Sequence, residues 1–377
     1  VTTDVPAGPI IPTTYWHRRH DGRIQCDLCP RECKLREGQR GLCFVRARRG
    51  DRIVLTSYGR SSGFCVDPIE KKPFYHFLPG TPVLSFGTAG CNLACRHCQN
   101  WDISRARADD VLADAATPEQ IASAAAALDC RSVAFTYNDP VVFHEYAVDV
   151  AAACREIGIH PVAVTAGYVN PAPRAEFYAK MDAANIDLKA FDDDVYRHTC
   201  GGHLQPVLDT LQYVATETDV WLEVTALLIP GLNDGDAAID AMTRWIAARL
   251  GPDVPLHFSA FHPAFRMSDV PPTPLDTLRR ARTVALQNGL RHVYLGNVQD
   301  LEGQTTWCPA CGASLVERDG YRLGRWGLDA RGRCLGCGTR CAGMFEDRPG
   351  SWGGRRRPIR LAARPDPAPG PGLPQGR

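Results

Sequence analysis

No apolar run in these 377 residues is long enough to cross a bilayer, so no membrane partner is expected. The opening residues, Val-Thr-Thr-Asp-Val-Pro, lack the basic-then-apolar layout of a secretory signal, and a cytoplasmic location is expected. Net charge is nearly absent as well. With 43 Lys and Arg against 42 Asp and Glu the balance is +1, which gives no footing for a nucleic-acid partner across the surface. No internal repeat is present beyond an alternation of strand-like and helix-like segments. What remains is the composition of a globular protein, 44% apolar and 23% charged. The length suffices for one large domain with small appendages.

Against these absences stand 16 cysteines. Scattered disulfides are the bland reading, but most of these residues fall in C-x2-C or C-x3-C clusters. Such spacing suits metal, and a reducing compartment keeps free thiols. The most informative cluster is Cys91, Cys95 and Cys98, in Gly87-Thr-Ala-Gly-Cys-Asn-Leu-Ala-Cys-Arg-His-Cys-Gln-Asn-Trp101. A structural zinc site or a closed iron–sulfur cluster takes four protein ligands. Three thiolates spaced C-x3-C-x2-C hold three irons of a [4Fe–4S] cube and leave the fourth open to a small molecule. The competing reading is a set of structural thiols or part of a zinc knuckle. A closing ligand is missing for it, since His97 sits between two cysteines and would strain the loop. Gly87 and Gly90 give the backbone freedom to wrap tightly.

Two further quartets flank the centre. Cys308, Cys311, Cys334 and Cys337 form paired knuckles, each followed by glycine, as in a zinc ribbon, with rubredoxin-like iron as the competitor. Zinc binding worth on the order of 10–16 kcal/mol can fold a segment so poor in apolar residues. Cys26, Cys29, Cys33 and Cys43 suit zinc, an auxiliary iron–sulfur cluster or an unmetallated thiol group, and spacing leaves these open. Cys65, Cys130, Cys154 and Cys200 lack partners at motif spacing and are read as small buried apolar residues, and Cys341 as a bystander.

Between the quartets apolar runs alternate with helical periodicity. Strands are expected at 83–86, 132–136, 161–165, 186–189, 221–228, 256–260 and 292–295. Helices are expected at 118–128, 141–157, 174–183, 206–216, 237–250 and 274–288, the first opening on Thr117-Pro118-Glu119-Gln120. Repeated βα units imply a parallel sheet, closed as a barrel or open and doubly wound, with its chemistry in the carboxyl-end loops. The expected organisation is a flexible lead-in at 1–24 and a Cys-rich module at 25–80. An α/β partial (β/α) barrel at 81–303, a zinc-ribbon-like module at 304–347 and a disordered tail at 348–377 complete it. The Arg355–Arg357 run in that tail is read as solvated charge.

The segment from about Leu84 to Val298 resembles the catalytic domain of radical S-adenosylmethionine (SAM) enzymes, in the branch of pyruvate formate-lyase-activating enzymes. That resemblance implies a cube whose open iron is chelated by SAM, and one-electron cleavage to a 5′-deoxyadenosyl radical that abstracts hydrogen. It also implies an electron donor such as flavodoxin or ferredoxin. Thr136-Tyr-Asn-Asp-Pro140 is similar to the family's loop at the SAM amino group, with Asp139 where Glu is usual. Thr165-Ala-Gly-Tyr168 is similar to a Thr-Asn-Gly-Tyr pattern lining the ribose, with Ala166 departing from it. Asp187-Leu-Lys189 matches a motif placing Asp187 or Lys189 by the SAM carboxylate.

A narrower resemblance rests on Asp67-Pro-Ile-Glu-Lys-Lys-Pro-Phe74, His76-Phe-Leu-Pro-Gly80, Cys98-Gln-Asn-Trp-Asp-Ile-Ser104, Leu228-Ile-Pro-Gly-Leu-Asn-Asp234, Phe261-His-Pro263 and Gly296-Asn-Val298. Together these are similar to the radical SAM member of the AmmeMemoRadiSam system. Its implied partners are a Memo-type protein and an AMME-syndrome-candidate-type protein. Glu223, His257 and His262 are candidates to face the substrate, with local structural roles as the alternative. A glycyl-radical-enzyme activase is the alternative activity, and a metal-bearing docking scaffold the alternative outside enzymes.

Overall fold

Strands buried on both faces read as nearly continuous apolar runs, and the described residues include seven of them. They are β1 (Pro82–Phe86), β2 (Ser132–Phe135), β3 (His160–Thr165), β4 (Ala183–Asp187), β5 (Trp221–Leu228), β6 (Leu256–Ala260) and β7 (Val293–Gly296). In the computed structural model, which describes residues 9–106 and 111–361, these seven pair in parallel, in chain order. Between successive strands lie α1 (Pro118–Ala127), α2 (His144–Glu156), α3 (Pro171–Tyr178), α4 (Gln205–Glu217), α5 (Asp236–Arg249) and α6 (Leu275–Gln287). The opening of α1 carries the expected capping box. Thr117 accepts from the Gln120 N–H, and the Gln120 side chain accepts from the Thr117 N–H, with proline at the first helical turn.

Strand Phe64–Pro68 adds antiparallel to β1, and Arg357–Ile359 pairs with that strand in turn, giving nine strands. Strand β7 and Arg357–Ile359 are the two edges, so the sheet is an open partial barrel of the expected α/β class. Its core is one large apolar cluster, with Phe86 packed edge-on against Phe135 and Tyr146, and a smaller one that joins Val83, Ala134, Val162 and Ala183 to Phe74 and Phe77.

Three differences from the sequence reading have physical reasons. Helix α3 ends at Tyr178, before β4 begins at Ala183, where a helix over 174–183 is expected. Residues 11–12 and 16–18 form short strands paired with 54–55 and 24–26, inside the stretch expected to be loose. Strand Arg357–Ile359 lies inside the stretch expected to be disordered. Backbone pairing does not require apolar side chains, so composition missed both termini. Pro358 is tolerated because the strand is an edge. Residues 1–8 and 362–377, the rest of the expected lead-in and tail, lie outside the described residues.

Candidate active site

The loop leaving β1 carries Cys91, Cys95 and Cys98, and backbone sterics explain its glycines. A Cβ on Gly87 would stand 2.4 Å from the Thr136 carbonyl oxygen, and one on Gly90 (φ +77°) only 1.8 Å from that of Cys43. Asn138, from the loop after β2, fastens the turn. Its Oδ1 accepts from the Thr88 N–H at 2.9 Å, and its Nδ2 donates to the Gly90 carbonyl at 2.7 Å. Asn92 Nδ2 donates to the Tyr168 carbonyl (2.7 Å) and Asn100 Nδ2 to the Tyr137 carbonyl (2.9 Å). Three asparagines thus tie the cysteine loop to the loops after β2 and β3.

The three cysteines share a cavity of about 300 Å³ with residues at or just beyond the carboxyl ends of the strands. These include Asn138, Asp139, Thr165, Asp187, Lys189, Ser259 and Asn297. All seven parallel strands therefore send side chains to one site, where α/β enzymes put their chemistry. Asp139 is buried and accepts from the Val141 N–H (3.0 Å), Thr165 Oγ1 (3.1 Å) and the Ala166 N–H (2.9 Å). Burial raises its pKa against the opposing pull of these donors. Lys189 Nζ pairs with Asp187 Oδ2 at 2.8 Å. Burial disfavours its charge, but Asp187 and the thiols of Cys95 and Cys200 outweigh burial and hold it protonated.

A cube fits this donor set. Thiolates around one zinc, each bonded at about 2.3 Å, stand about 3.8 Å apart, whereas those at the corners of a cube stand farther apart. Cys95 groups within 4.8 Å with His97 and Cys200, but Cys91 and Cys98 are not in that group. Burial also raises the pKa of Cys91 and Cys98, so a metal must displace the protons.

Cys200 is the neighbour that motif spacing missed, read there as an apolar filler. It closes the π-helical turn Tyr196–Cys200, whose carbonyls take the backbone of the cysteine loop: Ala94 N–H to Cys200 O at 2.7 Å and Arg96 N–H to Thr199 O at 2.9 Å. Only the π-turn, invisible to a 3.6-residue period, brings it there. His97 is buried, and burial followed by Lys189 lowers its pKa to about 3.

Glu223 and His257 do not reach the cavity. Glu223 lies low on β5, toward its amino end, and accepts from the His76 N–H (2.8 Å), Trp221 Nε1 (3.0 Å) and His257 Nε2 (2.6 Å). His257 lines a neighbouring cavity that shares Pro73, Ser259 and Asn297 with the first. His262 is exposed, with Nε2 at 3.4 Å from the Asn297 carbonyl. Cys341 is buried beside His76 and His292 in another group within 4.8 Å. Both His76 nitrogens are taken, by the Ala342 carbonyl and the Tyr294 hydroxyl, so this group is a joint.

In the C-terminal module the four thiols of Cys308, Cys311, Cys334 and Cys337 all lie within 4.8 Å of one another. The Cys308–Cys337 and Cys311–Cys334 pairs are at 3.5 and 3.7 Å. Cys26, Cys29, Cys33 and Cys43 do not gather in this way but line a small enclosed cavity.

An open parallel sheet whose carboxyl-end cavity is walled by cysteines defines the class, an α/β enzyme built around a metal centre. Residues 86–242 match the radical SAM superfamily. An uncharacterized protein of Methanocaldococcus jannaschii is 39% identical over 327 residues, spanning 86% of this chain and 97% of that protein. The chain belongs to the radical SAM superfamily, and membership implies a [4Fe–4S] cluster and SAM. The pyruvate formate-lyase-activating enzyme of Clostridium pasteurianum is 26% identical over 160 residues, 42% of this chain and 66% of that one. Among solved structures, a radical SAM methyltransferase from Sphaerobacter thermophilus is 14% identical, with 78% of each chain covered and a TM-score of 0.46. A domain of a pyruvate-formate lyase-activating enzyme from Bacteroides vulgatus is 20% identical, covering 44% of this chain and 98% of that one, with a TM-score of 0.40.

Proposed function

We propose that Cys91, Cys95 and Cys98 hold a [4Fe–4S] cluster at which this enzyme cleaves SAM reductively, and that the substrate enters the same cavity. The reading rests on the meeting of these three thiols with the loops after β2, β3 and β4 in one cavity. When bound, the cluster supplies one electron at an open iron, and SAM supplies the 5′-deoxyadenosyl group that takes hydrogen from the substrate. The chain's own residues bind and orient. Asp187 and Lys189 offer a paired charge for the amino-acid end of SAM. Asp139, with its oxygens occupied by Val141, Thr165 and Ala166, positions the β2 and β3 loops rather than offering a free carboxylate. This accounts for the shorter side chain at that position.

The resemblance of the blocks from Asp67 to Val298 supports a narrower placement, the radical SAM member of the AmmeMemoRadiSam system, with Memo-type and AMME-syndrome-candidate-type proteins as partners and a flavodoxin or ferredoxin as donor. The C-terminal quartet is proposed to hold structural zinc, on the 3.5 and 3.7 Å thiol spacings.

The test is anaerobic reconstitution with iron and sulfide, then dithionite and SAM, with 5′-deoxyadenosine as readout. Product is expected from the wild type and none from Cys95→Ala. A verified four-iron protein that makes none, or undiminished product from Cys95→Ala, overturns the reading.

A further inference from the structure

We propose that Cys26, Cys29, Cys33 and Cys43 hold a second [4Fe–4S] cluster, closed by four thiolates, that relays one electron to the cluster at Cys91, Cys95 and Cys98. The relay, though not the second cluster itself, rests on the function proposed above.

The two quartets of this chain differ in a way that distinguishes a cube from a single ion. Four thiolates bonded to zinc at about 2.3 Å stand about 3.8 Å apart. The C-terminal four meet that spacing closely, at 3.5 and 3.7 Å for two of their pairs. The N-terminal four do not converge on a point. Instead they are spread around the wall of an enclosed cavity, which they share with Arg31, Arg46 and Asn92. Cys26, Cys29 and Cys43 are each less than a tenth exposed. Thiols serving only as apolar filler would pack against one another or against neighbours, and would not ring a space.

The rest of the wall suits an anionic, sulfide-bearing group. Arg46 is fully buried, held by the Glu145 carboxylate and the Val142 carbonyl, and brings positive charge beside Cys26 and Cys43. Arg31 Nη2 is buried with no hydrogen-bond partner among the described residues, while its Nε donates to the Asn92 carbonyl at 2.7 Å. A tetrathiolate zinc has no inorganic sulfide to take such a donor, whereas a cube does, and hydrogen bonds to cluster sulfurs set its potential.

Position explains the relay. Asn92, on the cavity wall, directly follows Cys91. Gly90, directly before Cys91, lies so close to Cys43 that a Cβ there would stand 1.8 Å from the Cys43 carbonyl oxygen. The backbones that carry the two cysteine sets touch at Gly90 and Cys43. Lys34, Arg36 and Arg40 near the cavity are exposed, with Glu32 and Glu37 exposed among them. The balance is one electron throughout: a reduced low-potential flavodoxin- or ferredoxin-type donor is oxidised, the second cluster is reduced and reoxidised, and the SAM-binding cluster is reduced.

The first experiment removes the central ligands, as Cys91→Ala/Cys95→Ala/Cys98→Ala, and reconstitutes the full chain. About four irons and four sulfides per chain are expected to remain, with an electron paramagnetic resonance signal on reduction that SAM does not perturb. Iron absent from this folded variant, or zinc in its place at the N-terminal quartet, overturns the second cluster. The second experiment drives the wild type and Cys26→Ala/Cys29→Ala with reduced flavodoxin. Loss of 5′-deoxyadenosine formation in the variant is expected, with its SAM-responsive signal still obtained under dithionite. Undiminished flavodoxin-driven product overturns the relay. If the wild type itself makes no product, the function fails, while the iron count of the first experiment still decides the second cluster.

Discussion

At the scale of residues, the Asp67-Pro-Ile-Glu-Lys-Lys block acts at a distance from the cysteines. Asp67 is fully buried, with Lys71 and Lys72 at 2.9 and 2.8 Å, and accepts the Tyr137 hydroxyl at 2.9 Å. Tyr137 has φ +72°, a costly conformation for a large side chain, and Lys72 sits 4.6 Å over its ring. The block therefore pins the strained residue whose carbonyl holds Asn100 beside Cys98. Burial opposes the Asp67 charge, yet the two ammonium groups outweigh it and lower its pKa to about 2. The desolvation cost falls on Lys72, whose pKa drops to about 8. Because the folded pKa of Asp67 lies below its unfolded value, the stability it contributes is present above about pH 4 and lost as pH falls through about 2. The loss is about 2 kcal/mol, and Asp67→Asn should flatten that part of a urea-denaturation profile against pH. Asp139→Asn is a second residue-scale case. Its amide would oppose the Val141 N–H or the Ala166 N–H, so SAM affinity by equilibrium dialysis should fall about tenfold, the equivalent of one charge-assisted hydrogen bond. Unchanged affinity would show that the two loops hold their places without it.

At the scale of elements, the strands were legible because burial on both faces leaves an apolar run, and all seven parallel strands overlap their expected ranges. The cysteine loop was legible because C-x3-C-x2-C is local. What escaped was non-local. Cys200 reaches Cys95 through a π-turn, and Glu223 is claimed by backbone N–H groups of Tyr75 and His76 nearly 150 positions away, so its strand alone made it look available. Arg357–Ile359 pairs with a strand almost 300 residues earlier, which no window of composition reveals. The C-terminal hairpin, Ser314–Asp319 with Arg322–Trp326, has only a small apolar cluster of its own, centred on Leu315, Val316 and Leu328. Such an element needs its quartet. Cys311→Ser is expected to lose stoichiometric zinc, read by a chromogenic chelator, and to become sensitive to proteolysis beyond about residue 304. Retention of zinc and of protease resistance would count against a structural ion.

At the scale of the whole molecule, the two appended modules meet the sheet at different places. The N-terminal cysteines abut the loop after β1, at the carboxyl end. The C-terminal module packs its quartet side by Trp221, Asp253 and Arg291 at the foot, and its Gly320 and Tyr321 line a cavity with Ser259 and Asn297. Arg318, fully buried, donates to the Tyr75 carbonyl at 2.6 Å and to Thr306 Oγ1 at 2.8 Å, and lies 4.2 Å over the Tyr75 ring. Glu70, also buried, accepts from the Gly80 N–H at 2.7 Å. Burial raises its pKa to about 7, with Arg318 as the leading charge that opposes the rise. A carboxylate whose folded pKa exceeds its unfolded value stabilises the fold below the unfolded pKa of about 4.5, and that contribution is lost as pH rises through about 7. Arg318→Met removes the opposing cation, so the Glu70 pKa climbs further and the ionised form costs more. The variant should be destabilised by about 3–5 kcal/mol at pH 8 and by distinctly less at pH 5, read by denaturant titration at both values. Adding Glu70→Gln should erase the difference between the two pH values. Because this joint lies at the amino end of the strands, cluster-dependent formation of 5′-deoxyadenosine at pH 6 should persist in the folded fraction of Arg318→Met. Equal destabilisation at both pH values would mean that packing against Tyr75, and not compensation of Glu70, is what Arg318 contributes to the joint.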